Sequence, residues 1–178
     1  MRVSIILSLL LIVCLACDSQ VKHQRGVANV QEGSLLRLGN YIIDGDSLII
    51  PPFEVEVSLN EKANNKLASD NETVIIAAYF TAVPKNQTVD NMTKDGNVNI
   101  ATARIELVNS RIAKFDKVKF AKPLYAKIRN GSIDLLINVF SGRKSSESNL
   151  LTCQTVQEGE SDFKGNKYTV KGKLIYDE

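Results

Sequence analysis

Several stretches of this sequence carry side chains whose types and spacing are those of a functional centre. Asp95, Asn97, Asn99 and Glu106 stand at positions one, three, five and twelve of a calcium-binding loop, where oxygen ligands wrap a cation. That loop needs glycine at position six for its sharp turn, and Ile100 stands there. Ala101, Ala103, Ile105 and Leu107 also alternate with polar residues, which is the period of a strand, so the loop reading is set aside. Asp44, Asp46, Glu54 and Glu56 form a second acidic group. Aspartates gathered at one end of a β-sandwich can hold calcium, which makes Asp44 and Asp46 the weak metal candidates. The preferred reading is a turn followed by the solvated face of a strand, with no metal bound. A serine–histidine or cysteine–histidine nucleophile would have to use His23, the only histidine, which lies in a polar stretch without periodicity. The chain has no CxxC, HExxH or GxSxG motif and no glycine-rich phosphate loop. The expectation is a chain that is not an enzyme and uses no cofactor.

Two further groups are weaker. Gly142-Arg143-Lys144, followed by Ser145 and Ser146, offers positive charge and hydroxyls to an anion, and reads more simply as a solvated hairpin loop. Asn71, Asn86, Asn91 and Asn130 each begin an Asn-x-Ser/Thr triplet. In a chain this rich in Asn, Ser and Thr they are read as turn chemistry.

The N-terminus carries the most specific pattern. Met1-Arg2 is a positive start, and residues 3–16 are apolar apart from Ser4 and Ser8. That run is shorter than the roughly 20 residues needed to cross a bilayer and fits a secretory signal. It ends in Cys14-Leu15-Ala16-Cys17, which resembles the lipobox of bacterial lipoproteins. The resemblance implies cleavage after Ala16 and a diacylglycerol thioether on Cys17. Cys14 departs from the pattern, standing where the family usually has Leu, Val or Ile. The resemblance also implies a bacterial cell envelope location, with the domain on the periplasmic or extracellular side. Asp18 directly follows Cys17. In some species of that family this is associated with inner-membrane retention, but the choice of membrane stays open.

Removing sixteen leader residues from 178 leaves 162, enough for one domain with a sizeable core. The net charge of +2 falls to +1 once Arg2 leaves, so no strong field draws nucleic acid. Tryptophan is absent and aromatic residues make up 6% of the chain, which argues against a base-stacking or sugar-stacking platform. Cys153 is expected to be a buried small hydrophobe if Cys17 carries lipid. If Cys17 carries none, a Cys17–Cys153 disulfide in a secreted glycoprotein becomes the alternative.

The remaining elements follow from periodicity. Residues 17–33 are the lipidated cysteine and a polar tether, and residues 34–178 are the folded domain. Strands are expected over residues 35–43, 48–50, 53–59, 74–80, 101–107, 118–120, 133–140, 150–156 and 168–176. The run 74–80 is apolar throughout and 133–140 is apolar apart from Asp134 and Asn138, which predicts central strands buried on both faces. Lys167, Lys171 and Lys173 line one face of the last strand and predict an exposed or edge position. A capping box at Ser58 and Glu61 starts a short helix, and a second helix runs from Pro123 to a C-cap at Gly131. The fold expected is mainly β: a two-sheet β-sandwich of about eight strands with two short helices. An α+β sheet, with the first helix as a crossover, is the alternative.

These elements must position whatever the protein uses. The function expected is a membrane-anchored, non-catalytic attachment module for a protein partner in the envelope, with no nucleic acid bound. Its contact surfaces are expected on two loops, residues 84–98, with Asn86, Asn91 and Asp95, and residues 141–149, with Arg143 and Lys144. Both are expected to be removable with little change in melting temperature. A small-ligand or calcium-binding sandwich is the alternative function.

Overall fold

The computed structural model describes residues 35–86, 92–159 and 165–176. Cys17, Ala16, His23 and Asn91 lie outside the described residues. Leu35–Glu178 form one unit by their own contacts.

The described residues are mainly β with two short helices. The strands are β1 (Arg37–Leu38), β2 (Tyr41–Asp44), β3 (Ser47–Ile49), β4 (Phe53–Leu59), β5 (Val74–Ala82) and β6 (Val98–Leu107). They continue with β7 (Ile112–Phe115), β8 (Lys119–Ala121), β9 (Asp134–Ser141), β10 (Leu151–Cys153), β11 (Val156–Glu158) and β12 (Lys167–Leu174). Helix α1 is Glu61–Ser69 and α2 is Lys122–Tyr125. The strands form three four-stranded sheets, in the orders β1-β2-β3-β8, β10-β12-β4-β7 and β11-β9-β5-β6.

The second and third sheets bury their facing sides in one core. β4 alternates as its sequence demands, with Phe53, Val55 and Val57 buried. Against them, β5 contributes Val74, Ile76, Ala78 and Phe80, and β9 contributes Leu135, Ile137 and Val139. The rings of Phe53 and Phe80 meet edge to face across the gap at 6.1 Å. Tyr41, Leu48 and Ile50 extend the same core into the first sheet. The sandwich of the expected fold therefore carries a third sheet.

Helix α1 joins β4 in the second sheet to β5 in the third, so it is not a crossover within one sheet. Its N-cap is Asn60, whose Oδ1 accepts the Ala63 N–H at 2.9 Å, rather than Ser58. Ser58 and Leu59 stay in β4 because β12 pairs with them in parallel, Ser58 opposite Lys171 and Leu59 opposite Gly172. That pairing also places β12 between β10 and β4, so its lysines mark an exposed face and not an edge. Residues 150–156 do not form one strand. β10 and β11 belong to different sheets, and the chain passes between them in two residues. α2 stops at Tyr125 because Ile128 is drawn into a bridge with Pro84, leaving Gly131 in a turn at φ +68°. Among the described residues, no helix is long and apolar enough to cross a membrane.

Candidate partner-binding surface

The third sheet turns one face away from the core. β5 lies in its middle, and both of its faces are apolar in sequence. Its outward positions are Ile75, Ala77 and Tyr79, which pair with Phe140, Asn138 and Leu136 of β9. On the other side they pair with Glu106, Arg104 and Thr102 of β6. Ala77 is fully buried, but Ile75, Tyr79, Leu136 and Phe140 lie outside the core cluster. Ile75, Tyr79 and Phe140 are half-buried, and Leu136 is 37% exposed. Asn138, Thr102 and Arg104 beside them are exposed, so among the described residues no further layer covers this face. β5 and β9 are interior strands as expected, but one of their two apolar faces meets solvent. Among the described residues, neither helix is placed to cover it. α1 directs Ala63 and Leu67 into the core, and α2 packs Leu124 and Tyr125 against that same core.

The two loops expected to bind a partner lie at opposite ends of this face. In the β5–β9 register Val74 stands opposite Ser141, while in the β5–β6 register Ala82 stands opposite Val98. The ends are separated by the nine residues of β5, a length of about 26 Å. The described parts of this loop, residues 84–86 and 92–98, are held by specific contacts. The Lys85 N–H donates to the Lys127 carbonyl at 2.9 Å, and Met92 bridges to Val98. Thr93 and Asn97 close a turn, with the Thr93 N–H donating to the Asn97 carbonyl at 2.7 Å and Gly96 at φ +80°. This turn holds Asp95 and Asn97 over a cleft of about 260 Å³, with Tyr79, Asp134, Leu136 and Gln157 on its other walls. Asn86 lines a separate groove on the far side of the same turn. Asn99 and Glu106 sit on β6, Glu106 near its far end, so the four residues of the calcium-loop pattern do not converge.

The other loop is built into the fold. Glu72 is 5% exposed, yet its carboxylate accepts the N–H groups of Thr73 at 2.9 Å, Lys144 at 3.0 Å and Ser145 at 2.9 Å. The Ser145 hydroxyl donates to it at 2.8 Å. Burial alone would push the acid up, but the donors from Ser145, Lys144 and Thr73 outweigh it and hold Glu72 down to about 2. Arg143 lies at φ +59°, which turns the successive Lys144 and Ser145 amides toward one point and makes an anion nest. The basic stretch does take an anion, and that anion is the chain's own Glu72. The Lys144 ammonium pairs with Glu106 at 2.9 Å, which leaves Arg143 as the exposed cation at the loop tip. Asn149 completes the staple by accepting the Ser141 N–H at 2.9 Å. Residues 141–149 are therefore a structural loop, contrary to the expectation that they are dispensable. The one signal for this staple in the sequence is Glu72, an acid two residues ahead of the apolar run that begins at Val74.

The acidic group at Asp44 disperses. Asp44 forms an ion pair with Lys119, and Asp46 lies in the next turn. Glu54 pairs with Lys114 at 3.1 Å, and Glu56 with Lys167 at 2.9 Å, on a different sheet. Among the described residues, no three His, Cys, Asp or Glu side chains come close enough to share a metal ion. Asn71 and Asn130 both take positive φ, 52° and 56°, in keeping with turn chemistry.

Cys153 sits on β10 directly opposite Gly172 of β12. Its sulfur occupies the space that a Cβ on Gly172 would need, and Leu59 Cδ2 closes the same space at 3.0 Å. Burial pushes the thiol up to about 11. At pH 7.5 its thiolate fraction is then about a hundredfold or more below that of an ordinary cysteine, and alkylation at Cys153 should slow by the same factor. Peptide mass mapping after a maleimide time course reads this, with the urea-unfolded chain as the reference. Gly172→Ala should force the sulfur out and speed labelling in the folded state.

No family model matches this chain, and neither curated proteins nor solved structures contain a significant match to it.

Proposed function

We propose that this chain is a non-catalytic attachment module, held at a bacterial envelope membrane by lipid on Cys17, that binds a protein partner on the outward face of its third sheet. The observation that carries the reading is the row Ile75, Tyr79, Leu136 and Phe140, apolar and outside the core. Leaving such a face in water is costly, and contiguous apolar surface on a folded domain is characteristic of interaction sites. The edges of the face are polar, with Arg104, Thr102 and Gln157, which matches the apolar centre and polar rim of protein interfaces. The membrane location rests on the leader and on the match of Ala16 and Cys17 to a lipobox.

A photo-crosslinking residue in place of Asn138 tests the surface in native cells. The expected product is a discrete adduct of one mass, absent when the same residue replaces exposed Lys171 on the second sheet. Leu136→Asp should reduce the adduct about tenfold or more, because a carboxylate replaces an apolar side chain at the centre of the contact. The melting temperature should stay within a degree or two, since Leu136 does not contribute to the core. Equal adducts from both positions, or an adduct indifferent to Leu136→Asp, would remove the surface from consideration. The anchor has its own test, because Cys17→Ser should move the protein from the membrane pellet to the supernatant.

A further inference from the structure

The groove that holds Asn86 has a charge pattern of its own. Pro84 bridges Ile128, and both are buried. By the two-residue alternation of paired strands, Val83, Lys85, Lys127 and Arg129 then share the outward side. The Arg129 N–H donates to the Val83 carbonyl at 2.8 Å, which locks the pairing. Among the described residues, none of Lys85, Lys127 and Arg129 has a carboxylate partner, and the exposed Lys85 ammonium donates to the Ala126 carbonyl at 2.9 Å. Two apolar side chains are exposed among these cations, Val83 at 40% and Met92 at 38%, around a groove of about 410 Å³.

The entry point of the domain lies at the same end. The Tyr41 hydroxyl donates to the Gly131 carbonyl at 3.0 Å, and Gly39 lies against the Tyr125 hydroxyl. The hairpin of β1 and β2 thus abuts the segment that carries Lys127 and Arg129. Leu35 and Leu36, which lead into this hairpin, are 61% and 73% exposed. Cys17 precedes Leu35 by eighteen residues, a span of about 60 Å at most even when fully extended.

We propose that this end of the domain rests on anionic lipid headgroups, with the three cations over phosphates and the exposed Val83, Met92, Leu35 and Leu36 at the headgroup boundary. The orientation rests on the reading of Cys17 as the anchor, which keeps the patch within reach of the bilayer. Charge complementarity favours a lipid surface over nucleic acid, because apolar side chains and not stacking aromatics accompany the cations. Three such cations at an anionic surface correspond to about a hundredfold in binding.

Vesicle flotation of residues 18–178, which lack both the apolar leader and the anchor, tests the patch by itself. The chain should float with mixed phosphatidylcholine–phosphatidylglycerol vesicles at low salt. It should be released at about 1 M salt, where the screening length is about 3 Å. It should bind pure phosphatidylcholine vesicles far less. Lys85→Glu, Lys127→Glu and Arg129→Glu together should reduce flotation about a hundredfold, with the melting temperature unchanged. Equal flotation with both vesicle types, an unaffected triple variant, or full displacement by millimolar inorganic phosphate would overturn the proposal, the last by marking a site for the free ion. If instead Cys17→Ser leaves cellular fractionation unaltered while lipid-dependent flotation persists, the anchor reading fails and the patch stands.

Discussion

Glu72→Gln should lower the melting temperature at neutral pH by about 10 °C. The carboxylate is buried and accepts from Thr73, Lys144 and Ser145, and no other group in the loop can take those amides. A glutamine offers one oxygen and brings an NH2 group that faces donors. Its neighbours cannot relax, because Gly142 packs so closely on Thr73 that any Cβ there would collide with the Thr73 side chain. The pH dependence gives the size. The folded acid is held at about 2 against an ordinary value of 4.5. A depressed folded value means the stabilisation is present above pH 4.5 and is lost as pH falls from there toward 2. The difference is worth about 3 kcal/mol at neutral pH, which for a domain of this size is about 10 °C. The native chain should therefore lose stability steeply over that acid window. The glutamine variant should lack that part of the slope, and the two melting curves should converge near pH 2. Melts of both proteins at pH 7 and pH 3 decide the matter. A gap of less than about 2 °C at pH 7 would show that the loop does not depend on this anion.

Phe53→Ala should cost about 3–5 kcal/mol, the range for truncating a buried aromatic ring. Phe53 stands where β4 begins, directly after Pro51 and Pro52. Its ring stacks on Phe115 of β7 at 4.8 Å and 7° and meets Tyr168 of β12 at 6.1 Å, which joins three strands of the second sheet. The same ring meets Phe80 of the third sheet, so one side chain couples both layers. Phe53→Leu should recover more than half of the loss by refilling the volume. The adjacent Glu54→Ala removes only an exposed ion pair with Lys114 and should change stability by about 0.5 kcal/mol or less. Urea denaturation of the three variants measures the contrast. A cost for Phe53→Ala no larger than that for Glu54→Ala would mean that the sheets are not held together at this ring.

Much of the fold can be read from local pattern. The alternation of Phe53, Val55 and Val57 names the buried face of β4, and the apolar runs at β5 and β9 name the interior strands of the third sheet. Alternation over residues 101–107 likewise identifies most of β6 and argues against the calcium loop, whose residues the structure keeps apart. Where local pattern misleads, a distant strand supplies the correction. Ser58 has the chemistry of an N-cap, but pairing with Lys171 keeps it in the sheet and passes the cap to Asn60. Lysines along β12 look like protection for an edge, yet the strand is interior because β4 joins it in parallel from across the chain.

The candidate surface divides along the same line. A single sequence shows that β5 is apolar on both sides and β9 largely so, but not that, among the described residues, no element covers the second side. That depends on where α1 and α2 deliver their few apolar residues. Sequence likewise shows a basic loop at residues 142–146 able to hold an anion. Only the tertiary structure supplies Glu72, about seventy positions away, as the anion held there. What the sequence determined by itself is periodicity: which residues share a face and where turns fall. What the fold alone decided is which faces meet, because sheet pairing and buried charge satisfaction are contacts between residues remote in the chain, whose selection is made by the whole core at once.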